Sequence, residues 1–348
     1  MNRLKYIVKR VLMGVPVLWL GTSLTWFIIY QGPVDPAANL LSGSERLTET
    51  KYEAARTELG LDQPPLQHYV DWMWSLFTLD LGQTWLVYPG SSVGALVMDF
   101  LPRTVWLGFW SIVVAVFVGV PLGFYAGIRS NTVADYVASV SGIVWRAMPN
   151  FWLAVILLAV LVGSESLLGF DWDAFLIQLP TGVTGNPGLS YMAGDPLAFF
   201  TQPRDTLAAI KKVLPAALVL GSASMGNEMR IGRTAVLETK TEQYVDFARA
   251  RGVPGRAIVW KHVFRNALVP LVPVITTEAF LLIGGSVLVE SVFGINGMGK
   301  LFFDAAIQGD LPLVGSLMFV FILLMLVINL AQDVLYTLID PRVGYDGA

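Results

Sequence analysis

Few side chains in this sequence could carry out chemistry, and their types and spacing argue against catalysis. The chain has no cysteine, and its two histidines, His68 and His262, lie far apart, so a His/Cys zinc site or a cysteine nucleophile is not indicated. The segment 294–300 reads GINGMGK and fits the spacing of a phosphate-binding loop. Leu301 stands where serine or threonine would bind magnesium, and no strand is predicted before the segment. We therefore interpret it as a glycine-rich turn leading into a short helix.

Two ionisable residues lie inside long apolar stretches, where a charge is costly and usually faces a partner or water. These residues, Arg146 and Glu278, have opposite signs. One hypothesis is that they approach each other; another is that both face a solute path and favour charged solutes. The alternative is that Arg146 extends to the membrane interface while Glu278 is protonated or lies in a wet cavity.

The composition is that of a membrane protein. Of the 348 residues, 55% are hydrophobic and only 14% are charged, against about 25% charged in a soluble domain. The 23 lysines and arginines nearly balance the 26 acidic residues, so the chain lacks the basic field that nucleic-acid binding requires. We expect a membrane lipid environment and no nucleic-acid partner.

The apolar residues are grouped into segments of about 20 residues, the length that a helix needs to cross a bilayer. We predict an all-α polytopic protein with six transmembrane helices, the first a retained anchor and not a cleaved signal. The predicted spans are 11–30, 104–128, 136–162, 213–236, 266–289 and 311–332.

Cationic residues indicate the orientation, because they concentrate in cytoplasmic loops. Four precede the first span and eight lie in 229–265, whereas 31–100 carries three against nine acidic residues. We predict a cell-membrane protein with both termini cytoplasmic. The predicted parts are 1–30 (cytoplasmic N-terminus and first span), 31–100 (extracytoplasmic) and 101–348 (a core with five spans).

The first outer segment has the features of folded structure. We predict a helix over 47–59 that Gly60 ends, followed by a helix that begins at Pro64 and Pro65 and carries aromatic residues at helical spacing. Such a helix would lie on the membrane surface. The second outer segment, 163–210, predicts an irregular loop with one short helix.

The basic segment between the fourth and fifth spans predicts two short helices. The first, 238–251, mixes apolar positions with charges, and Gly252 and Pro254 end it. The second covers 256–264. One interpretation is a solvated basic loop that the topology requires.

The exact residues favour another interpretation. The strings DFARARG (246–252) and RNALVP (265–270) resemble the EAA loop of ABC-importer permeases, in the dipeptide/oligopeptide/nickel branch. Asp246 replaces the usual glutamate and keeps its carboxylate. The resemblance covers nearly the whole chain and is closest to the first of two permease subunits. Further fragments in matching order are Asp35-Pro36-Ala37, Leu59-Gly60-Leu61-Asp62, Asp80-Leu81-Gly82, Pro121-Leu122-Gly123, Val289-Glu290-Ser291-Val292-Phe293 and Asp340-Pro341-Arg342.

The resemblance implies a type I ABC-importer permease fold and no enzymatic activity in this chain. It implies that the loop at about 232–265 docks on an ATPase and transmits its movement to the spans. No cofactor is expected here, because partner subunits would bind ATP and magnesium. The implied partners are a second permease subunit forming a heterodimer, two cytoplasmic ATP-binding subunits and an extracytoplasmic solute-binding protein. The implied coupling residues are Tyr244, Asp246, Ala248, Arg249, Gly252 and Arg256.

The solute and its path are less determined. Candidates for the path are Arg146, Pro149, Asn227 and Glu278, and we expect helices to bend at Pro149 and at Pro270 with Pro273. The glycines of 284–286 would allow close helix packing. Di- or oligopeptides are the first choice of solute, with nickel or oligosaccharides as alternatives. A solitary channel or an intramembrane enzyme is a further alternative, but a solitary channel needs no docking loop.

Overall fold

A computed structural model of the protein describes residues 3–32, 34–41, 49–176, 198–283 and 287–339. These residues are helical or irregular, and the one extended pairing among them is an isolated antiparallel bridge between Gln83 and Ser92. The chain forms two compact units. The first unit comprises 1–103 and 296–327, and the second comprises 104–295 and 328–348.

The helices of the described residues are numbered here in chain order. They are α1 (Arg3–Tyr30), α2 (Pro36–Leu40), α3 (Glu49–Glu58), α4 (Pro65–Thr78), α5 (Val93–Ile128), α6 (Val133–Ala147), α7 (Asn150–Val162), α8 (Ser164–Leu168), α9 (Trp172–Leu176), α10 (Ala198–Thr201), α11 (Pro203–Lys240), α12 (Gln243–Ala250), α13 (Gly255–Ala267), α14 (Leu271–Ile283), α15 (Val287–Val292), α16 (Met298–Gln308) and α17 (Leu311–Ile339).

Four helices are long and apolar enough to cross a membrane: α1, α5, α11 and α17. Two further candidates are bent pairs, α6 with α7 at 99° and α13 with α14 at 53°. The described residues therefore contain four candidate spans, or up to six if each bent pair counts as one. The predicted spans 136–162 and 266–289 are not continuous helices.

Proline accounts for both breaks. Met148, which precedes Pro149, has an extended backbone with ψ of 127°, as expected for a residue that the proline ring excludes from the helical region. Pro270 lies in the turn between α13 and α14. The predicted bends at Pro149 and Pro270 are confirmed, whereas the glycines of 284–286 and the motif at 340–342 lie outside the described residues.

Helix α5 begins eleven residues before the predicted span at 104 and contains a π-helical turn over Ala115–Gly119. Pro121 follows this turn. Because proline cannot donate the usual backbone hydrogen bond, a wider turn before it lets the helix continue without a kink.

Helices α3 and α4 confirm the local predictions for the first outer segment. Gly60 follows α3 with φ of +68°, and α4 begins at Pro65. One face of α4 packs within the first unit, where Trp72 and Leu76 are buried together with Leu18 and Phe319. The opposite face is exposed, and its position on the membrane surface stays a prediction.

The buried carboxylate of Asp310 fixes the loop 84–87 to the start of α17. It accepts hydrogen bonds from the hydroxyl of Thr84 and from the amides of Trp85, Leu86 and Val87, at 3.0, 2.8 and 3.2 Å for the amides. Successive amides form a concave site for an anion. Asp310 and residues 84–87 lie far apart in the sequence, so no local sequence pattern predicts these hydrogen bonds.

His68 has a structural environment. Its ring is buried, and its Nδ1 accepts a hydrogen bond of 3.0 Å from the indole of Trp26. Burial lowers the pKa of His68 below 6.5, although the nearby charge of Asp71 acts in the opposite direction. The neutral imidazole is thus the form that fits the fold.

We expect the first unit to lose stability as the pH falls below about 6.5. As the pH falls, His68 binds a proton in the unfolded chain before it does so in the folded chain. The free energy of unfolding therefore falls with the pH until His68 of the folded protein is protonated as well. Unfolding midpoints of the purified protein between pH 7.5 and 5.5 measure this. His68→Asn keeps an acceptor near Trp26 and cannot titrate, so its midpoint should fall less. Equal pH dependence in both proteins would contradict the prediction.

Residues 294–297 form a turn that leads into a short helix, as predicted. Gly294 has φ of +63°, and α16 begins at Met298.

Candidate functional site

Helix α11 organises the second unit. It runs for 38 residues and carries polar side chains near its middle. Its last residues, 232–240, are the first part of the basic loop, 232–265. The site described below therefore has two parts, the basic loop and a polar cluster.

Three glycines of α5 allow this helix to pack closely against α11. A Cβ atom at Gly119 would lie 2.6 Å from the carbonyl oxygen of Met225, and one at Gly127 would lie 2.6 Å from Cβ of Val236. At Gly123 the added atom would overlap the backbone of Met229. Glycines four residues apart share one helix face and permit contact between backbones.

One face of α12 is anchored in the second unit. Val245 is fully buried and Ala248 is 7% exposed, and both pack with Val236, Ile258 and Val263. The hydroxyl of Tyr244 donates to the carbonyl of His262 at 3.3 Å, and partial burial raises the pKa of Tyr244. Helix α12 is thereby joined to both α11 and α13.

The opposite face of α12 is exposed. It carries the ion pair of Asp246 and Arg249, at 2.9 Å, and the aromatic ring of Phe247, which is 64% exposed. The guanidinium of Arg251 lies 5.6 Å from the centre of that ring. An apolar ring between charges on a short helix is suited to binding in the groove of a partner.

Gly252 ends α12, as predicted. Its φ is +75°, and the following amide, of Val253, donates to the carbonyl of Ala248 at 3.2 Å. This is the hydrogen bond of a left-handed helix end.

The predicted coupling residues thus fall into an exposed group and a buried one. Asp246, Arg249 and Arg256 are exposed and Tyr244 is partly exposed, whereas Ala248 faces the core of its own chain. Phe247 was recognised as an apolar position but not assigned to the site. Phe247 is exposed whereas Val245 is buried. The sequence pattern alone does not show which of these two apolar residues faces the core.

A buried ion pair fastens α6 to α11. Both oxygens of Asp135, which is 1% exposed, accept hydrogen bonds from Arg233, at 2.6 and 2.7 Å. Ser139 donates a further hydrogen bond to this carboxylate. This two-pronged geometry is the strong form of an arginine–carboxylate pair. Sequence analysis did not identify it, because both residues lie near predicted helix ends, where charges are common.

The polar cluster lies among α6, α11 and α14. The guanidinium of Arg146 donates to the side-chain oxygen of Asn227 at 2.9 Å, and the nitrogen of the same amide donates to Glu278 at 3.0 Å. The two charged groups therefore approach each other through Asn227 and not by direct contact. An asparagine side chain has both an acceptor and a donor, so Asn227 bridges the two charges.

Three further residues of α11 complete the polar cluster. The hydroxyl of Ser224 donates to the second oxygen of Glu278 at 2.8 Å. Glu228, one turn beyond Ser224, is 1% exposed, and its Oε2 has no hydrogen-bond partner. Arg230 also donates to the oxygen of Asn227, at 3.3 Å.

Pro149 positions the cationic end of this polar cluster. It lies two residues after Ala147, the last residue of α6, which leaves Arg146 in the last turn of that helix. A cation is favoured there by the helix dipole.

Within the described residues, no group of three or more histidine, aspartate or glutamate side chains is arranged to hold a metal ion.

Comparison with known proteins decides the family. Residues 119–345 match the model of the binding-protein-dependent transport system inner membrane component, and residues 3–86 match the model of its N-terminal part. The chain belongs to this family of membrane transport components. It is accordingly a multi-pass membrane protein and a permease subunit.

Relatives in this permease family match along the full chain. A protein of Brucella suis named as a peptide transport system permease is 33% identical over 98% of this chain and 99% of its own length. The oligopeptide transport system permease protein AppB of Bacillus subtilis is 30% identical over the same shares. The dipeptide transport system permease protein DppB of Escherichia coli strain K12 is 27% identical, also over 98% and 99%.

A solved structure is similar to this permease in fold. The MetNI methionine ABC transporter, in an inward-facing conformation, contains a chain that matches with a TM-score of 0.50 and 17% identity. The match covers 70% of this chain and 96% of that chain.

Proposed function

We propose that this permease forms, with a second and different permease subunit, the translocation path of an ABC importer for di- or oligopeptides. The observation that carries the proposal is the full-length similarity to permeases named for peptide, oligopeptide and dipeptide transport. Two cytoplasmic ATP-binding subunits supply the energy, and an extracytoplasmic binding protein delivers the peptide.

The orientation follows from the distribution of cations. Both termini and the basic loop lie on the cytoplasmic side, and 31–100 lies outside. Each bent helix pair then counts as one span, which gives six. The division into 1–30, 31–100 and 101–348 follows the same topology.

The exposed face of α12 docks on an ATP-binding subunit. Its buried face supports this role, because Val245 and Ala248 join the docking surface to α11 and α13. Movement of the ATPase would then turn α12 and α11 together, as packed cores resist gradual deformation. The ion pair of Asp135 with Arg233 would carry that movement to α6.

The solute path includes the polar cluster. Arg146, Asn227 and Glu278 provide polar groups within otherwise apolar helices, and Pro149 sets the end of α6 beside them. Polar residues at such depth usually face a water-filled path or a bundle interior.

We expect ATP hydrolysis only from the assembled importer. The purified permease in detergent should be inactive, and the complex with its ATP-binding subunits and peptide-loaded binding protein should hydrolyse ATP and take up dipeptide. Lys300→Ala should change neither rate, because Leu301 stands where a phosphate-binding loop needs serine or threonine to bind magnesium. Hydrolysis by the purified permease that Lys300→Ala abolishes would contradict this. The solute class is tested separately by measuring which of dipeptides, Ni²⁺ and oligosaccharides raises the melting temperature of the binding protein.

A further inference from the structure

We propose that the polar cluster recognises the two charged ends of a short peptide, with Glu278 facing the ammonium group and Arg146 and Arg230 facing the carboxylate. This inference rests on the proposed peptide-import function and specifies how the path selects its solute.

The first step is the separation of charge within the polar cluster. Both arginines donate to the oxygen of Asn227, and Glu278 accepts from the nitrogen of the same amide. None of the described contacts joins either guanidinium directly to a carboxylate. The bridging amide therefore keeps positive groups on one side and a carboxylate on the other, so neither charge is neutralised by direct contact.

The second step is the unused hydrogen-bonding capacity. Glu228 is 1% exposed with an oxygen that lacks a partner, and it lies within electrostatic reach of Glu278. A buried carboxyl oxygen without a partner is costly, and a cationic donor would supply its missing hydrogen bond beside the carboxylate of Glu278. The carboxylate side of the polar cluster thus attracts a positively charged group.

The third step is the chemistry of that group. The described residues offer no arrangement of three acidic or histidine ligands for a metal ion, and hard divalent cations prefer six or more oxygen ligands. An ammonium group needs only a few acceptors, which Glu278 and Glu228 provide.

The last step is distance. The contacts of 2.9 and 3.0 Å on either side of the Asn227 amide place the guanidinium nitrogen of Arg146 and the nearer oxygen of Glu278 no more than about 8 Å apart. An extended dipeptide spans about 7 Å at most. A dipeptide that lies alongside the Asn227 amide is therefore long enough to place one end at Glu278 and the other at Arg146.

The test uses the complete importer in proteoliposomes, with uptake divided by the occupancy of its binding protein. The probes are Ala-Ala, N-acetyl-Ala-Ala, which lacks the ammonium group, and Ala-Ala-amide, which lacks the carboxylate. We expect Glu278→Gln to lower uptake of Ala-Ala about tenfold, since a hydrogen bond to a charged group is lost, and to leave N-acetyl-Ala-Ala unchanged. The double variant Arg146→Gln with Arg230→Gln should lower uptake of Ala-Ala and spare Ala-Ala-amide.

Two control variants accompany these measurements. Glu278→Asp keeps the carboxylate and should retain most uptake. Glu165→Gln changes an exposed carboxylate of α8 outside the polar cluster and should match the wild type.

The outcomes separate this inference from the proposed function. Wild-type uptake of peptide with equal losses of all three probes in Glu278→Gln would show a structural or proton-binding role and overturn the inference alone. Unchanged Ala-Ala uptake in that variant would do the same. No wild-type uptake of any peptide would reject the proposed function and, with it, this inference.

Discussion

Gly123→Val is expected to prevent the second unit from folding stably. A Cβ atom at Gly123 would overlap the backbone of Met229 on α11, and backbone atoms cannot turn aside as a side chain can. The two branches of valine would push α5 and α11 apart. Overpacking typically costs about 1 to 3 kcal/mol, and occasionally more, and contact with a fixed backbone should place this variant at the upper end.

The measurement is the yield and unfolding midpoint of the permease after membrane extraction. Gly232→Ala provides a matched control, because the atoms nearest to an added Cβ there lie at 3.8 Å or more. The control should purify like the wild type, whereas Gly123→Val should aggregate or unfold at a clearly lower temperature. A wild-type midpoint for Gly123→Val would show that the helices do not approach as closely as described.

The spans illustrate how far hydropathy predicts this fold. The continuous helices α1, α11 and α17 cover the predicted segments at 11–30, 213–236 and 311–332, because an uncharged apolar run of about 20 residues has few other stable forms. Hydropathy reports how apolar a segment is and not the direction in which its chain runs, so it does not predict the 99° bend at Pro149. The proline itself was the available signal for the break, but not for its angle.

The basic loop was predictable because its determinants are local. A charged helix, Gly252 and Pro254 follow one another within a few residues, and each acts on its own neighbours. Which face of α12 is buried depends instead on contacts with α11 and α13. The pattern marks Ala248 and Phe247 alike as apolar positions, so it does not show that Ala248 is buried and Phe247 exposed.

The polar contacts were the least predictable part of the candidate site. The opposite charges of Arg146 and Glu278 suggested a pair, but their relation depends on the third residue between them, Asn227. Similarly, Asp135 and Arg233 are 98 residues apart. One sequence gives no distance between such residues, so composition can indicate that a buried charge needs a partner without identifying the partner.

Gly252→Val is expected to abolish import while the permease still inserts and assembles in the membrane. At φ of +75°, a β-branched side chain is strained by about 1 to 3 kcal/mol. A Cβ atom at this position would meet nothing within 4 Å, so the cost comes from the backbone and not from packing. The end of α12 can relieve it only by changing conformation.

That change would reach the proposed docking surface of α12 directly. The left-handed turn at Gly252 holds the amide of Val253 on the carbonyl of Ala248, and loss of this bond would unwind the last turn of α12. Arg249 lies in that turn and pairs with Asp246, so the exposed charges would lose their arrangement. Peptide-stimulated ATP hydrolysis and uptake should then fall together.

Gly252→Asn separates the role of the backbone from any need for glycine itself. Asparagine adopts the left-handed conformation far more readily than valine, so this variant should retain most uptake and stimulated hydrolysis at equal abundance. Both variants are measured in the assembled importer, with the amount of permease in the membrane determined in parallel. Normal uptake by Gly252→Val at normal abundance would mean that the left-handed end of α12 is not needed for coupling to the ATPase.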